Sequence, residues 1–228
     1  MLTQNYIKTD KRIEIKEVFK ISQINMVYNA ILLSKFLFYN PYPGRRINSI
    51  YFEDSSYSSL TDSIEGNSKR TKKRIRWYGK QKSVTNATLE IKKKNGHISW
   101  KLLYKDNYFV DPKANDWSNF IKTESYSEKL DFHIHNLEPK SIIRYDRDYF
   151  TSFDDKVRIT IDQNLNSFAQ TSRYAPNLEY GKHHSNLFIV EIKVSQENES
   201  LLKNVLRDLP FSAKRFSKYC ESILPQKY

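Results

Sequence analysis

The sequence predicts one α+β domain, spanning residues 1–228, in which an antiparallel sheet closes into a β-barrel around a charged lumen, flanked by helices. Three observations lead there. Five strand-like segments each carry one charged and one apolar face. Segments with apolar residues at helical spacing stand among and after them, able to cover an apolar outer surface. The 228 residues include only 5 Gly and 7 Pro, so no linker divides the chain.

Taken in order, residues 10–18 alternate as a strand. Residues 20–39 place apolar side chains at helical spacing, and Pro41 and Pro43 end that helix. Residues 46–53 read as a strand and 54–66 as a polar loop or short helix. Strands follow near 70–78, 87–94 and 98–105, and residues 112–136 are irregular or helical. Further strands lie near 142–150, 156–162 and 187–194, and helices over 198–207 and 212–222 close the chain.

In a strand every second side chain shares a face. Arg70, Lys72, Arg74 and Arg76 thus lie opposite Ile75 and Trp77, and Glu90, Lys92 and Lys94 opposite Leu89 and Ile91. Arg12, Glu14 and Lys16 oppose Ile13 and Ile15; Arg158, Thr160 and Asp162 oppose Val157, Ile159 and Ile161; Glu191 and Lys193 oppose Val190, Ile192 and Val194. A single charged strand face is ordinarily just solvated. Five together differ, because like charges on adjacent strands repel unless an anion lies between them. Closing such a sheet gives a charged lumen and an apolar exterior.

The composition agrees with a polar interior. Apolar residues are 39% and aromatics 14%, with 16 Tyr and 13 Phe spread along the length, which excludes a disordered chain. The net charge of +12, from 38 basic and 26 acidic residues, attracts nucleic acid, an acidic membrane surface or a phosphorylated metabolite. One cysteine, Cys220, excludes an internal disulfide framework and a Cys-based metal cluster, and fits a reducing compartment. No apolar leader opens the sequence and no stretch approaches the ~18–20 apolar residues of a membrane span, so a cytoplasmic protein is expected.

A basic tunnel would hold phosphates through charge-assisted hydrogen bonds, with Arg forks gripping two oxygens and Lys acting as a point charge. Glu14 and Glu191 among these cations would suit a hard divalent ion, Mn2+ or Mg2+, that bridges phosphate oxygens; each could instead simply pair with a neighbouring base. GxxxxGK[ST], GxGxxG and GxSxG are all absent, which argues against a Walker-type nucleotide site. His133, His135, His183 and His184 come without a Cys or carboxylate cluster and read as exposed loop residues rather than metal ligands. Ser217 beside Lys218 offers a hydroxyl and an ammonium to phosphate.

The order RxExK (Arg12, Glu14, Lys16), NSIYFED (Asn48 to Asp54), GNSKRTKKRIRWYG (Gly66 to Gly79) and LEIKKK (Leu89 to Lys94) resembles the VTC domain. RYDRDYF (Arg144 to Phe150), VRITID (Val157 to Asp162), IVEIKV (Ile189 to Val194) and RFSKY (Arg215 to Tyr219) continue the likeness over nearly the whole chain. That domain is the polyphosphate polymerase of the vacuolar transporter chaperone complex, a triphosphate tunnel metalloenzyme. The resemblance implies a tunnel of eight antiparallel strands that passes the γ-phosphate of ATP to a growing polyphosphate chain. It implies that Lys16, Arg70, Lys72, Arg74, Arg76, Lys92, Arg147 and Arg158 line the tunnel, that Glu191 holds the metal, and that Lys101, Ser217 and Lys218 match further family positions. Arg215 stands where the family often has Lys, and Glu53 where it usually has Asp. The family's phosphate-sensing domain and membrane helices have no counterpart here, so regulation and transport do not carry over.

The expected activity is therefore that of a phosphotransferase extending polyphosphate with a divalent metal. Lys92, Arg74, Arg76 and Arg147 are the expected catalytic groups. Lys16, Arg70, Lys72, Lys94, Lys101, Arg158, Lys193, Arg215, Ser217 and Lys218 are expected to hold phosphate, and Glu191 and Glu14 the metal. The expected partners are ATP and inorganic polyphosphate, with no specific nucleic acid and room for a membrane-protein partner not encoded in this chain. A hydrolase using the same tunnel is the first rival. A non-enzymatic polyanion or RNA-binding module is weaker, because single-strand binders place aromatics on the binding face.

Overall fold

Where β-branched and aromatic residues alternate with charged ones the chain forms strands, and these join into a single antiparallel sheet in the computed structural model, which describes residues 6–80, 83–123, 134, 136–172, 174–212 and 216–224. The strands are β1 (Ile7–Lys8), β2 (Arg12–Lys20), β3 (Arg45–Glu53), β4 (Lys69–Tyr78), β5 (Thr85–Asn95), β6 (Ile98–Val110), β7 (Ile121–Thr123), β8 (Glu138–Thr151), β9 (Val157–Ala169), β10 (Lys182–His184) and β11 (Leu187–Ser195). Helices α1 (Ile24–Leu32), α2 (Ser58–Glu65), α3 (Trp117–Phe120), α4 (Glu199–Asp208) and α5 (Lys218–Ile223) lie between and after them.

Neighbours run β6–β2–β11–β9–β8–β3–β4–β5, and β5 pairs back onto β6, so eight antiparallel strands close a barrel. Closure removes the sheet edges that would otherwise present unpaired backbone. β1 and β7 add to β6, and β10 to β9.

The apolar strand faces point outward and are covered. Ile159, Ile161, Val190, Ile192 and Val194 pack with Val27 and Ile31 of α1 and Val205 of α4. On the other flank Ile50, Phe52, Ile75, Trp77 and Leu89 pack with Phe120 of α3. A third cluster, Ile47, Tyr51, Ile143, Tyr145, Leu165 and Ile189, surrounds Tyr219 of α5. Ile189 and Ile47 share strand parity with Glu191 and with Ser49, which lies directly opposite Arg76, so this cluster lies inside the barrel. Among the described residues no helix is long and apolar enough to cross a membrane.

The expected helix over 20–39 is shorter. A 3-10 turn at Ile21–Gln23 leads into α1, which stops at Leu32. The Ser34 hydroxyl bonds Asp208 at 2.5 Å and accepts from the Phe36 N–H at 3.2 Å, a local alternative to helical pairing that periodicity does not register. Leu37 then takes φ 48°, outside any helix. The last helix likewise begins late, because Ser217 is its N-cap and accepts from the Cys220 N–H. The strands expected at 142–150 and 156–162 are longer, as β8 and β9, and the short β1 and β10 carry too few residues to show a period.

Candidate functional site

The five charged faces turn to the lumen, as the alternation requires once the apolar faces are covered. They line a cavity of about 820 Å³. Its lining reaches Tyr42, just before β3, and Ser68, just before β4; since β3 and β4 are antiparallel, the cavity runs from one end of the barrel to the other. Thirteen of the described lining residues are Arg or Lys and three are Glu.

Register makes this crowding specific. Lys72, Lys92 and Lys101 lie directly opposite one another on β4, β5 and β6, and Arg70 lies opposite Lys94. Like charges so placed are destabilising unless an anion intervenes. Burial pushes the Lys92 ammonium down to about 8 against the pull of Glu14, and Lys193 down to about 7 against Glu191. Burial also lowers Lys72, and lowers Lys101 strongly despite Glu90.

Carboxylates beneath this layer hold the cations in place. Glu90, 4% exposed, accepts from Arg74 at 2.6 Å and Lys101 at 2.9 Å, and pairs with Arg76 at 3.2 Å. Asp162, fully buried, takes Arg147 Nε and Lys218 Nζ, both at 2.5 Å. Burial opposes its charge, yet Arg147 and Lys218 hold the carboxyl down at about 2. Glu191 pairs with Lys193 at 2.6 Å, Lys16 at 3.2 Å and Arg147 at 3.4 Å, and Glu14 pairs with Lys92 and, at 2.8 Å, Arg12. Arg76 is 6% exposed and its Nε has no partner among the described residues. A buried guanidinium N–H without an acceptor is costly, and an anion in the lumen would satisfy it.

Glu14 and Glu191 are diagonal neighbours across β2 and β11, since Lys16 faces Glu191 and Glu14 faces Lys193. Each opens on the cavity, and Glu191 raises the cost of charging Glu14. Among the described residues no group of three or more His, Cys, Asp or Glu forms a metal cage. Two carboxylates in a cation-lined lumen fit a hard divalent ion that would complete its shell with a ligand's oxygens rather than with protein.

The cavity brings together every site residue expected from sequence except Arg215, which lies outside the described residues, as do His133 and His135. Ser217 reaches Lys72 Nζ at 2.9 Å, tying α5 to the tunnel wall. His183 is exposed as expected, but His184 is buried near Ser167 at 3.4 Å; both lie on the strand β10 rather than in a loop, and neither lines the cavity. Glu53 is buried against Ser59 of α2 and does not line the cavity. Sequence reasoning left out Glu90 and Asp162 as site residues, although both share parity with the cations. It also left out Tyr51, Tyr145 and Tyr149, which line the lumen.

A search of curated proteins found no match. Among solved structures, a protein provisionally named an adenylate cyclase from Vibrio parahaemolyticus is 10% identical, with 92% of this chain and 98% of that chain covered at a TM-score of 0.52. A chain of the Schizosaccharomyces pombe Mediator head module is also 10% identical, covering 90% of this chain and 96% of that chain at a TM-score of 0.50. These likenesses show the tunnel fold, and so different a pair shows that the fold alone does not choose a reaction. The family model for the VTC domain matches residues 11–225. That match and the cation-lined tunnel support a polyphosphate-related tunnel enzyme of the phosphoryl-transfer kind. From its first barrel strand to its last helix, the chain belongs to the VTC domain family.

Proposed function

We propose that this domain is a polyphosphate polymerase, which transfers the γ-phosphoryl group of ATP to the end of a polyphosphate chain. The observation that carries the reading is the convergence of thirteen Arg and Lys side chains on one cavity, with the buried Arg76 Nε still lacking an acceptor. Phosphoryl transfer asks little covalent chemistry of a protein; it asks that phosphates be held in line and developing charge be neutralised. Arg74 and Arg76, braced from behind by Glu90, grip the terminal phosphates. Arg147 and Lys218, braced by Asp162, hold phosphates where β8, β9 and the start of α5 line the lumen. Lys92, on the strand between Lys72 and Lys101, meets the charge that grows on the transferred group. Glu191 and Glu14 would hold Mn2+ or Mg2+, which supplies charge neutralisation on phosphate oxygens.

Incubation with ATP and Mn2+, resolved on a gel and assayed for ADP, tests the reading. Lengthening chains with matching ADP are expected. Orthophosphate without chains would mean that water is the acceptor and the enzyme is a hydrolase; no turnover of ATP at all would remove the proposal.

A further inference from the structure

A second cavity, of about 330 Å³, lies on the outside of the barrel over β4, β5 and β6. Two residues, Arg70 and Lys94, line both this groove and the tunnel. They are direct cross-strand partners, so they stand together at one tunnel mouth. Alternation sends their neighbours Lys69, Thr71 and Lys93 to the outer face, where they line the groove beside Trp100. The basic surface of the lumen therefore continues over the rim onto the outer wall without a break. Lys69, Arg70 and Lys93 have no carboxylate within ion-pair distance among the described residues. The acidic member of the groove, Asp62, accepts from the Asn67 amide at 2.8 Å.

We propose that this groove is a second binding site, for the part of a polyphosphate chain that extends beyond the tunnel, and that the chain crosses the rim between Arg70 and Lys94. The inference rests on the reading of the tunnel as a polyphosphate site and adds a path to it. A triphosphate fits within the lumen and does not need the groove; a long chain has to lie somewhere once it leaves the barrel. Lys69 and Lys93 are spaced along the outer wall as point charges for it, and Lys binds phosphate oxygens without demanding one geometry.

The test compares two probes on wild type and on the Lys69→Ala/Lys93→Ala double variant: tripolyphosphate and long-chain polyphosphate, by calorimetry at several salt concentrations. Tripolyphosphate affinity should be unchanged, which also reports an intact tunnel. Affinity for the long chain should fall about tenfold with a shallower salt dependence, since two phosphate contacts are lost. Equal affinity of variant and wild type for the long chain would overturn the groove and leave the tunnel standing. Wild-type protein that binds neither probe would overturn the tunnel reading itself, and the groove with it. Single-stranded RNA bound as tightly as polyphosphate, and weakened equally by the double variant, would make the groove a general polyanion surface and sink the assignment.

Discussion

Two stretches of the same lumen have opposite chemistry. On β2 the inward side chains run Arg12, Glu14, Lys16 and then Val18; on β11 they run Lys193, Glu191 and then Ile189 and Leu187. β8 changes in the same way, from Arg147 to Tyr145 and Ile143, and β9 from Asp162 to Leu165. On β2, β8 and β11 the change takes one side-chain repeat, roughly 7 Å along the strand, and on β9 it spans the irregularity at Asn164, whose φ is 52°. What differs is the occupant. The apolar stretch is filled by α5, whose Tyr219 stacks on Tyr51 with ring centroids 5.1 Å apart. Among the described residues, the charged stretch holds no apolar core cluster, and its cations outnumber their carboxylates. A barrel interior thus takes the character of whatever fills it, and on the proposed function the charged stretch is the one shaped for a polyanion.

Glu191→Gln presses hardest on the charged stretch. It keeps shape but removes the charge a divalent ion requires, so turnover should fall by more than about 10³ while tripolyphosphate still binds. Kinetics and calorimetry on one preparation check this, and wild-type turnover would take Glu191 out of the site.

Tyr219→Ala presses on the apolar stretch. The side chain is 2% exposed, so its loss should cost about 3–5 kcal/mol. Each kcal/mol lowers the melting midpoint by roughly 2–4 °C in a chain of this size. A melting curve unchanged by this variant would mean that α5 is not what holds that end of the barrel together.

Lys92→Ala should lower kcat by about 10²–10³ with a smaller rise in KM for ATP. If Lys92 serves only as the partner of Glu14, the melting temperature drops and both kinetic constants stay ordinary. The smallest effect is expected at the seam between the two stretches. Ser217→Ala removes the cap of α5 and the hydroxyl that Lys72 contacts, at about 1 kcal/mol by thermal or denaturant unfolding.

The charged stretch was legible in sequence because period-2 alternation holds over the charged segments of β2, β4, β5, β9 and β11, where one face is charged or polar and the other largely apolar. Parity reveals the face but not the depth. Glu90 and Asp162 sit at the right parity, yet nothing in their spacing says that they lie beneath the cations and orient them. The apolar stretch was not legible at all. Ile143, Leu165 and Ile189 look like ordinary core residues, and only the return of α5 into the barrel explains why inward positions turn apolar. The end of α1 was hidden for a local reason, the hydrogen bonds of the Ser34 hydroxyl.

The most direct measurement is a crystal structure of the protein soaked with tripolyphosphate. The account predicts phosphate density in the lumen, with one phosphate oxygen accepting from the Arg76 Nε and the chain lying among Arg74, Lys92 and Arg147. Tripolyphosphate bound only on the outer surface, with the lumen free of it, would contradict the account.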